Sequence, residues 1–194
     1  MAYLLDTNVF IRAKNDHYNF HTVPGFWRWL DREHARGIVF SIQAVRKELL
    51  KKDDELAAWS DRCASGFFLY PSKVTHEAVA TVNHWVDAQA RFTSEAKKRF
   101  RKGADTLLVA QTLTTSRVVV THEEPAPESK ASVKLPDVCA GVNVEFMNPF
   151  RMLRAEGAVF ELSESFESAA TDRRSQTRLF NDTGAPSRDP TEGP

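Results

Sequence analysis

The sequence predicts an α/β fold built on a mainly parallel sheet. Short apolar runs occur at 3–5, 38–40 and 118–120, and longer segments with helical spacing of apolar residues separate them. Strands that alternate with helices form parallel sheets, because each helix carries the chain back to the edge where the strand began. The chain has 194 residues, of which 42% are hydrophobic, so it is long enough for one domain with a buried core.

Turn residues and apolar spacing predict the elements of the first half. They are, in order, a strand at 3–5, a helix at about 9–14, a helix that Pro24 opens, a strand at 38–40, helices at about 42–51 and 54–64, and a strand-like run at 67–70. Proline suits the first turn of a helix, where its missing N–H would have no partner. Ser41 is predicted as the N-cap of the helix at 42–51, because a serine hydroxyl accepts from free amides of a first turn.

The second half is predicted in the same way. It comprises helices at about 75–90, 93–102 and 104–113, a strand at 118–120, a helix that begins near 135, an inner strand at 142–146, a helix at 149–155 and an edge strand at 159–160. From residue 161 onward, Ser, Thr, Asp, Arg, Pro and Gly dominate the composition. We therefore predict a folded domain at 1–160 and a polar, largely disordered tail at 161–194.

Composition excludes several classes of protein. Cys63 and Cys139 are far apart, which argues against a disulfide scaffold or a cysteine-rich zinc site and fits a reducing cytoplasm. No apolar run approaches the roughly 20 residues that span a bilayer, and the first residues lack the basic region of a signal peptide. The net charge is zero. We expect a cytoplasmic protein without a membrane partner.

Acidic residues occur at four places on or next to buried elements. Asp6 follows the first strand, Glu123 and Glu124 follow the strand at 118–120, Glu48 lies beside an apolar helix stripe, and Asp105 lies in a first helical turn. The carboxyl ends of parallel strands meet at one sheet edge, where ligands bind. Clustered carboxylates suit Mg²⁺ or Mn²⁺, and such ions activate water for phosphodiester hydrolysis.

Each acid taken alone also has a structural interpretation. Asp6 could cap a helix, and Asp105 could stabilise the positive end of a helix dipole. Glu48 could be a buried, paired residue, and Glu123 and Glu124 could be solvated loop residues. Only the four acids together indicate a metal site.

In order and spacing, these residues resemble the PIN domain, a metal-dependent nuclease fold. The matching segments are Leu4-Leu5-Asp6-Thr7-Asn8, Val45-Arg46-Lys47-Glu48-Leu49, Gly103-Ala104-Asp105-Thr106-Leu107-Leu108-Val109-Ala110 and Val120-Thr121-His122-Glu123. The resemblance covers about residues 2–160, and the segments at 135–139 and 148–153 are similar to a VapC-like subgroup. One departure is that the last acid is Glu rather than Asp, with Glu124 beside it; the T-x-[DE] spacing selects Glu123.

The resemblance implies a three-layer α/β/α fold with four or five strands and an endoribonuclease that leaves 5′-phosphate and 3′-hydroxyl ends. Asp6 and Asp105 would be the main ligands of one or two Mg²⁺ or Mn²⁺ ions, and Glu48 and Glu123 would bind directly or through water. Three further residues would orient these ligands or the attacking water: Thr7, Asn8 and Thr121. Glu124 and Asp137 are additional acids that could join the site, although helix capping is the alternative for Asp137.

The segment at 91–102 is strongly basic and directly precedes the helix of Asp105. It could follow an RNA backbone or form an ordinary solvated helix face. The residues predicted to bind RNA are Arg91, Lys97, Lys98, Arg101 and Lys102. If the chain is a VapC-like toxin, the resemblance also implies an antitoxin that masks the site, and a homodimer.

Three other functions fit parts of the pattern. A haloacid-dehalogenase-like phosphohydrolase also begins with a strand and Asp, but it requires an acid where this chain has Asn8. A non-catalytic PIN-like module would use the fold to bind RNA or protein. A flap-nuclease-type DNA nuclease usually carries more acids than are found here. His122 could approach a metal, but we expect an exposed loop histidine, and we expect the tryptophans to be core or interface residues.

Overall fold

Five parallel strands form the sheet of the computed structural model, which describes residues 1–161. The strands are β1 (Tyr3–Leu5), β2 (Val39–Ile42), β3 (Phe68–Leu69), β4 (Val118–Val120) and β5 (Phe146–Met147). Their order across the sheet is β3-β2-β1-β4-β5, and every neighbouring pair is parallel. The predicted α/β fold with a mainly parallel sheet is confirmed.

Helices flank this sheet, because parallel strands need a crossover between them. They are α1 (Thr7–Arg12), which continues as a π-helical turn (Ala13–His17), α2 (Pro24–Ala35), α3 (Gln43–Leu49), α4 (Glu55–Arg62), α5 (Lys73–Ala88), α6 (Ser94–Lys102), α7 (Asp105–Thr115), α8 (Leu135–Gly141) and α9 (Pro149–Ala155). Helix α9 has the predicted bounds, and the other helices differ from prediction by a few residues at their ends. Among residues 1–161, no helix is long and apolar enough to cross a membrane.

The core lies on both faces of the sheet, which explains why the strands are apolar throughout rather than alternating. Leu4, Leu5 and Val119 are completely buried. The ring of Phe10 in α1 packs against the indole of Trp59 in α4, with centroids 5.4 Å apart. Trp27, Trp29 and Trp59 are all buried, so these tryptophans are core residues as expected.

The strand order changes direction at β1, and this position determines where a site can form. From β1 the chain adds β2 and then β3 on one side, and it later places β4 and β5 on the other. Leu5 of β1 pairs with Val120 of β4, and the N–H of Asp6 donates to the carbonyl of Val120 at 3.0 Å. In open parallel sheets, the crevice at such a switch point is where ligands bind.

Ser41 is not a helix cap, contrary to the prediction. It lies within β2, is fully buried, and its Oγ donates to the carbonyl oxygen of Leu5 at 2.7 Å. Helix α3 begins after Ile42, which provides no side-chain cap. The hydroxyl instead satisfies a buried strand carbonyl, which would be costly to leave without a partner.

The strand predicted at 142–146 is also wrong in its bounds. Asn143 has a φ of 58°, in the left-handed region, which is incompatible with an extended strand. The N–H of Val144 donates to the carbonyl of Cys139 at 2.8 Å, so these residues close the end of α8. The strand therefore starts only at Phe146, and residues 159–160, predicted as an edge strand, are irregular.

Residues 1–158 form one compact unit. Beyond this unit, only residues 159–161 are described. The polar tail predicted at 161–194 therefore lies, apart from Glu161, outside the described residues.

Candidate functional site

Asp6 lies at the switch point, directly after β1, and only 5% of it is exposed. Its Oδ2 accepts a hydrogen bond from the Thr121 hydroxyl at 2.8 Å. Burial raises the pKa of Asp6 to about 6, while the Thr121 hydrogen bond opposes that rise. Asp6 occupies the N-cap position of α1, as the helix-cap alternative expects, but its side chain makes no capping hydrogen bond there.

Asn8 connects the ends of the two central strands. Its Nδ2 donates to the Thr121 hydroxyl oxygen at 3.0 Å, and its Oδ1 accepts from the backbone N–H of His122 at 2.9 Å. The Thr121 hydroxyl, which accepts from Asn8, can therefore direct its own proton to Asp6. Asn8 and Thr121 thus fix the position of the Asp6 carboxylate.

Glu48 projects from α3 toward the same sheet edge. Val45 and Leu49, on either side of it in the helix, are buried and anchor that face of α3. The Thr7 hydroxyl donates to Glu48 Oε2 at 2.6 Å. This contact holds a half-buried carboxylate in place from the first residue of α1.

Asp105 is the first residue of α7 and has no hydrogen-bond partner for its side chain. Its carboxylate makes no hydrogen bond or ion pair with any of the residues 1–161, although the charge of Lys134 opposes part of the rise in its pKa. Burial, together with the negative charges of Asp6, Glu123 and Glu48, raises the pKa of Asp105 to about 8. The sequence also allowed Asp105 to be stabilised by the positive end of the helix dipole. The repulsion from the surrounding carboxylates outweighs that stabilisation.

Glu123 follows β4 but is held by other protein groups. Its Oε1 lies 3.2 Å from the Nζ of Lys134, and its Oε2 accepts from the N–H of Leu135 at 2.9 Å. Glu123 therefore satisfies the first free amide of α8. Glu124 is exposed, and we assign it no role beside Glu123.

These acids form one electrostatic cluster, which we call the acidic cluster: Asp6, Glu48, Asp105 and Glu123. The charges of all three other members raise the pKa of Asp105. Glu48, Asp105 and Glu123 line a common cavity of about 290 Å³ together with Arg99 and Ser132. The structure thus brings together the four acids that the sequence singled out.

The donor chemistry of the acidic cluster fits a hard divalent cation. Carboxylate oxygens are the ligands that Mg²⁺ and Mn²⁺ prefer, and the charge of Lys134 offsets only part of the repulsion on the Asp105 carboxylate, which has no hydrogen-bond donor. In the described part of the chain, however, no three His, Cys, Asp or Glu side chains converge closely enough to hold an ion. Glu48 and Glu123 are instead bound by protein donors.

Asp137 belongs to a separate structural contact. It is buried, accepts from the N–H of Ala126 at 3.1 Å, and lies 3.5 Å from the Nη2 of Arg91. Arg91 also donates to the carbonyl of Pro127. This pair fixes the loop after β4, so Asp137 neither caps α8 nor joins the acidic cluster.

Only some of the predicted RNA-binding residues are free to bind. Lys97 donates to the carbonyl of Asp87 at 2.7 Å, and Arg101 pairs with the Asp87 carboxylate, so both connect α6 to the end of α5. Lys98 and Lys102 are exposed, and their side chains have no hydrogen bond or ion pair within residues 1–161.

Arg99, which was not among the predicted RNA-binding residues, lines the cavity of the acidic cluster. The sequence contains a signal for this placement. Ala96 and Phe100 form the buried face of α6, and Arg99 follows Ala96 by three residues, which places it at the border of that face.

His122 is half-buried rather than exposed, contrary to expectation. Its ring lies 5.5 Å from both the His17 and the Phe150 rings. The π-helical turn at the end of α1 brings His17 to this position. Burial, together with the nearby Arg12 and His17, lowers the pKa of His122 to about 4.

Comparison with known proteins gives one match. A family model described as a domain of unknown function (DUF4411) matches residues 3–160. No curated protein and no solved structure matches the sequence. The matched segment contains the whole acidic cluster together with Thr7, Asn8, Arg99 and Thr121.

Proposed function

The chain belongs to the DUF4411 family, a domain of unknown function, and we propose that it is a metal-dependent endoribonuclease of the PIN type. The observation that carries this proposal is the Asp105 carboxylate. It faces three other carboxylates without any protein donor, and its pKa is raised to about 8. A carboxylate in such surroundings costs free energy, and functional sites are where such costs are retained.

The residues of the proposed site have two roles: the acids would bind the metal ion, and neighbouring hydroxyl groups orient those acids. Asp6 and Asp105 would hold one or two Mg²⁺ or Mn²⁺ ions, and Glu48 and Glu123 would complete the negative pocket. The bound ion would lower the pKa of water and stabilise the negative charge that develops as a phosphodiester is hydrolysed. The Thr121 hydroxyl orients the Asp6 carboxylate and the Thr7 hydroxyl orients the Glu48 carboxylate.

The substrate class follows from the same resemblance. Single-stranded or structured RNA would be cut by attack of water on a phosphodiester, with a 5′-phosphate left on one fragment. The cavity beside Asp105 is open to solvent and contains Arg99, a cation that attracts a phosphate. Contacts of this kind do not read sequence, so the target RNA is left open.

Asn8 argues against the haloacid-dehalogenase-like alternative. That reaction needs an acid at this position, whereas Asn8 uses its amide to bridge Thr121 and His122. A non-catalytic PIN-like module is the remaining rival, and the protein donors that now hold Glu48 and Glu123 favour it.

A biological role completes the proposal: the enzyme would be a cytoplasmic VapC-like toxin, with an antitoxin that masks the acidic cluster and with self-association as a homodimer. Co-expression with a candidate antitoxin tests this role separately. A stable complex in which cleavage is blocked would support the role, while cleavage that no such partner inhibits would contradict it.

The decisive experiment is cleavage of a mixed single-stranded RNA panel by purified protein with Mg²⁺, with Mn²⁺ and with EDTA. Asp6→Asn and Asp105→Asn should each lower the cleavage rate at least about 100-fold, since each removes a proposed ligand charge. Glu124→Gln is the matched control, because Glu124 is exposed and outside the acidic cluster. It should cleave at the wild-type rate, whereas Glu123→Gln should not.

Two outcomes would overturn the nuclease proposal. Cleavage that persists in Asp6→Asn and Asp105→Asn would indicate a contaminating enzyme. Folded wild-type protein that neither cleaves the panel nor binds Mn²⁺ would support the non-catalytic module.

A further inference from the structure

A second cavity adjoins the acidic cluster, and Glu48 lines both cavities. This second cavity has a volume of about 160 Å³ and lies between α1 and the region around the end of α3. One wall is apolar and is formed by Ile11, Leu49 and Leu56. Lys51, Lys52 and Asn15 provide the polar side.

The two lysines of this cavity are free to bind an anion. Lys51 and Lys52 are exposed, and their side chains make no hydrogen bond or ion pair with any described residue. Lys14, which also lines the cavity, is instead engaged by Asp54 at 2.6 Å, with both side chains mostly buried. Asp54 in turn caps α4 by accepting from the N–H groups of Leu56 and Ala57. The cavity therefore combines a wall held by the Lys14–Asp54 pair with unpaired cations at its rim.

The first cavity also carries positive charge. Arg99 lines it, and the Arg99 guanidinium has no hydrogen bond or ion pair within residues 1–161. Because Glu48 lines both cavities, an extended polyanion that passed Glu48 would meet Arg99 in one cavity and Lys51 and Lys52 in the other. Two flanking cationic sites compensate the repulsion between phosphates and carboxylates.

We propose that the second cavity is a nucleotide subsite for single-stranded nucleic acid. The phosphate contacts Lys51 and Lys52, and the base or ribose packs against the wall around Ile11. The strand continues past Glu48 to Arg99. A purely apolar partner would not need the lysine rim, and a free phosphate would not need the apolar wall. This inference rests on the proposed function for the direction of the strand, but the subsite itself is tested without cleavage.

The test is equilibrium binding of a fluorescein-labelled, mixed-sequence single-stranded RNA, measured by anisotropy in EDTA at 50 mM salt. The variants are Lys51→Ala/Lys52→Ala, Arg99→Ala and Ile11→Ser, and all of these positions are exposed. Lys73→Ala is the matched control, because Lys73 is an exposed lysine whose nearest acid is 4.0 Å away on α5. Circular dichroism and thermal unfolding check that each variant is folded.

Counterion release gives the expected size of the effect. Each lost phosphate contact weakens binding roughly fivefold to tenfold at 50 mM salt and lowers the slope of log K against log salt by about 0.7. Arg99→Ala should lose one such contact and the double lysine variant one or two. Ile11→Ser should weaken binding of RNA but not of inorganic polyphosphate, while Lys73→Ala should change neither.

The outcomes separate the subsite from the nuclease proposal. Weakened binding in the variants supports the subsite even if the wild-type protein never cleaves RNA. Unchanged affinity and salt slope in the double lysine variant overturn the subsite even if the wild-type protein is a nuclease. Absence of RNA binding by the wild-type protein, or equal loss of polyphosphate binding in Ile11→Ser, also overturns it.

Discussion

Asp105→Asn should make the metal-free protein more stable while it abolishes the proposed activity. Asparagine has nearly the same shape as aspartate but carries no charge. The substitution therefore removes the repulsion that Asp105 experiences from Asp6, Glu48 and Glu123. Functional sites commonly retain residues that cost stability, and the direction of this effect distinguishes such a residue from a structural one.

The pH dependence of the effect follows from the raised pKa. The pKa of Asp105 is about 8 in the folded protein against a normal value of 3.8. Between these two values the folded protein binds more protons than the unfolded chain, so this group makes stability fall as pH rises. Asparagine does not titrate, so the variant lacks this decline, and its advantage over wild type grows from pH 5 to pH 8.

The magnitude has an upper bound of about 1.4 kcal/mol per pH unit, or about 4 kcal/mol between pH 5 and pH 8. Water that enters the open cavity and relaxation of the side chains screen these charges. We therefore expect the variant's advantage to grow by about 1–2 kcal/mol over this range. For a domain of this size, that corresponds to an increase of roughly 3–6 °C in the difference between melting temperatures.

The assay is thermal and urea unfolding of wild type and Asp105→Asn in EDTA at pH 5, 6, 7 and 8, with Glu124→Gln as the control. The control should track wild type at every pH, because Glu124 is exposed and outside the acidic cluster. A second series adds Mn²⁺, which should stabilise wild type more than the variant. If Asp105→Asn is less stable than wild type at pH 8 in EDTA, the argument from charge repulsion fails.

Three further substitutions test the surroundings of the site and the core. Thr121→Val should raise the pKa of Asp6 above about 6, because it removes the hydrogen bond that lowers this pKa; a carboxyl-carbon NMR titration measures it, and a lower pKa would contradict the assignment. Gly141→Ala would place a Cβ 2.0 Å from Cε2 of Trp85, and it should lower the free energy of unfolding by about 1–3 kcal/mol. An unchanged urea midpoint would mean that the indole has room to move. Glu33→Gln should cost about 1–3 kcal/mol in the same assay, because the fully buried carboxylate of Glu33 pairs with two arginines; a neutral result would show these pairs to be dispensable.

Residue pattern indicated a cluster of acids, and the resemblance to the PIN domain selected Glu123 rather than Glu124 within it. Asp6 directly follows a buried apolar strand, and Glu48 interrupts the apolar stripe of α3. Charged residues at such positions are costly, so their presence is informative without a structure. The order of strands and helices also follows from local patterning, because a buried parallel strand and an amphipathic helix have different spacings of apolar residues.

For residues with more than one possible hydrogen-bond or ion-pair partner, the local residue pattern could not identify the actual partner. Ser41 was expected to cap α3, but its hydroxyl bonds the carbonyl of Leu5, 36 residues away. Arg91 and Lys98 look equivalent in a basic run, yet Arg91 is engaged by Asp137 and Lys98 is free of such contacts in the described region. Local sequence provides the donor, and only the long-range fold determines which acceptor lies within reach.

The sequence by itself determined the α/β class, the order of the elements and the four acids, since burial and periodicity are properties of neighbouring residues. Only the tertiary structure decided that the strand order reverses at β1 and that Asp105 is left without a donor while Glu123 binds the start of α8. It also decided that Arg99 faces the acidic cavity, because this depends on the packing of α6. Electrostatic free energy depends on distances between groups that are far apart in the chain, and those distances exist only once the sheet has formed.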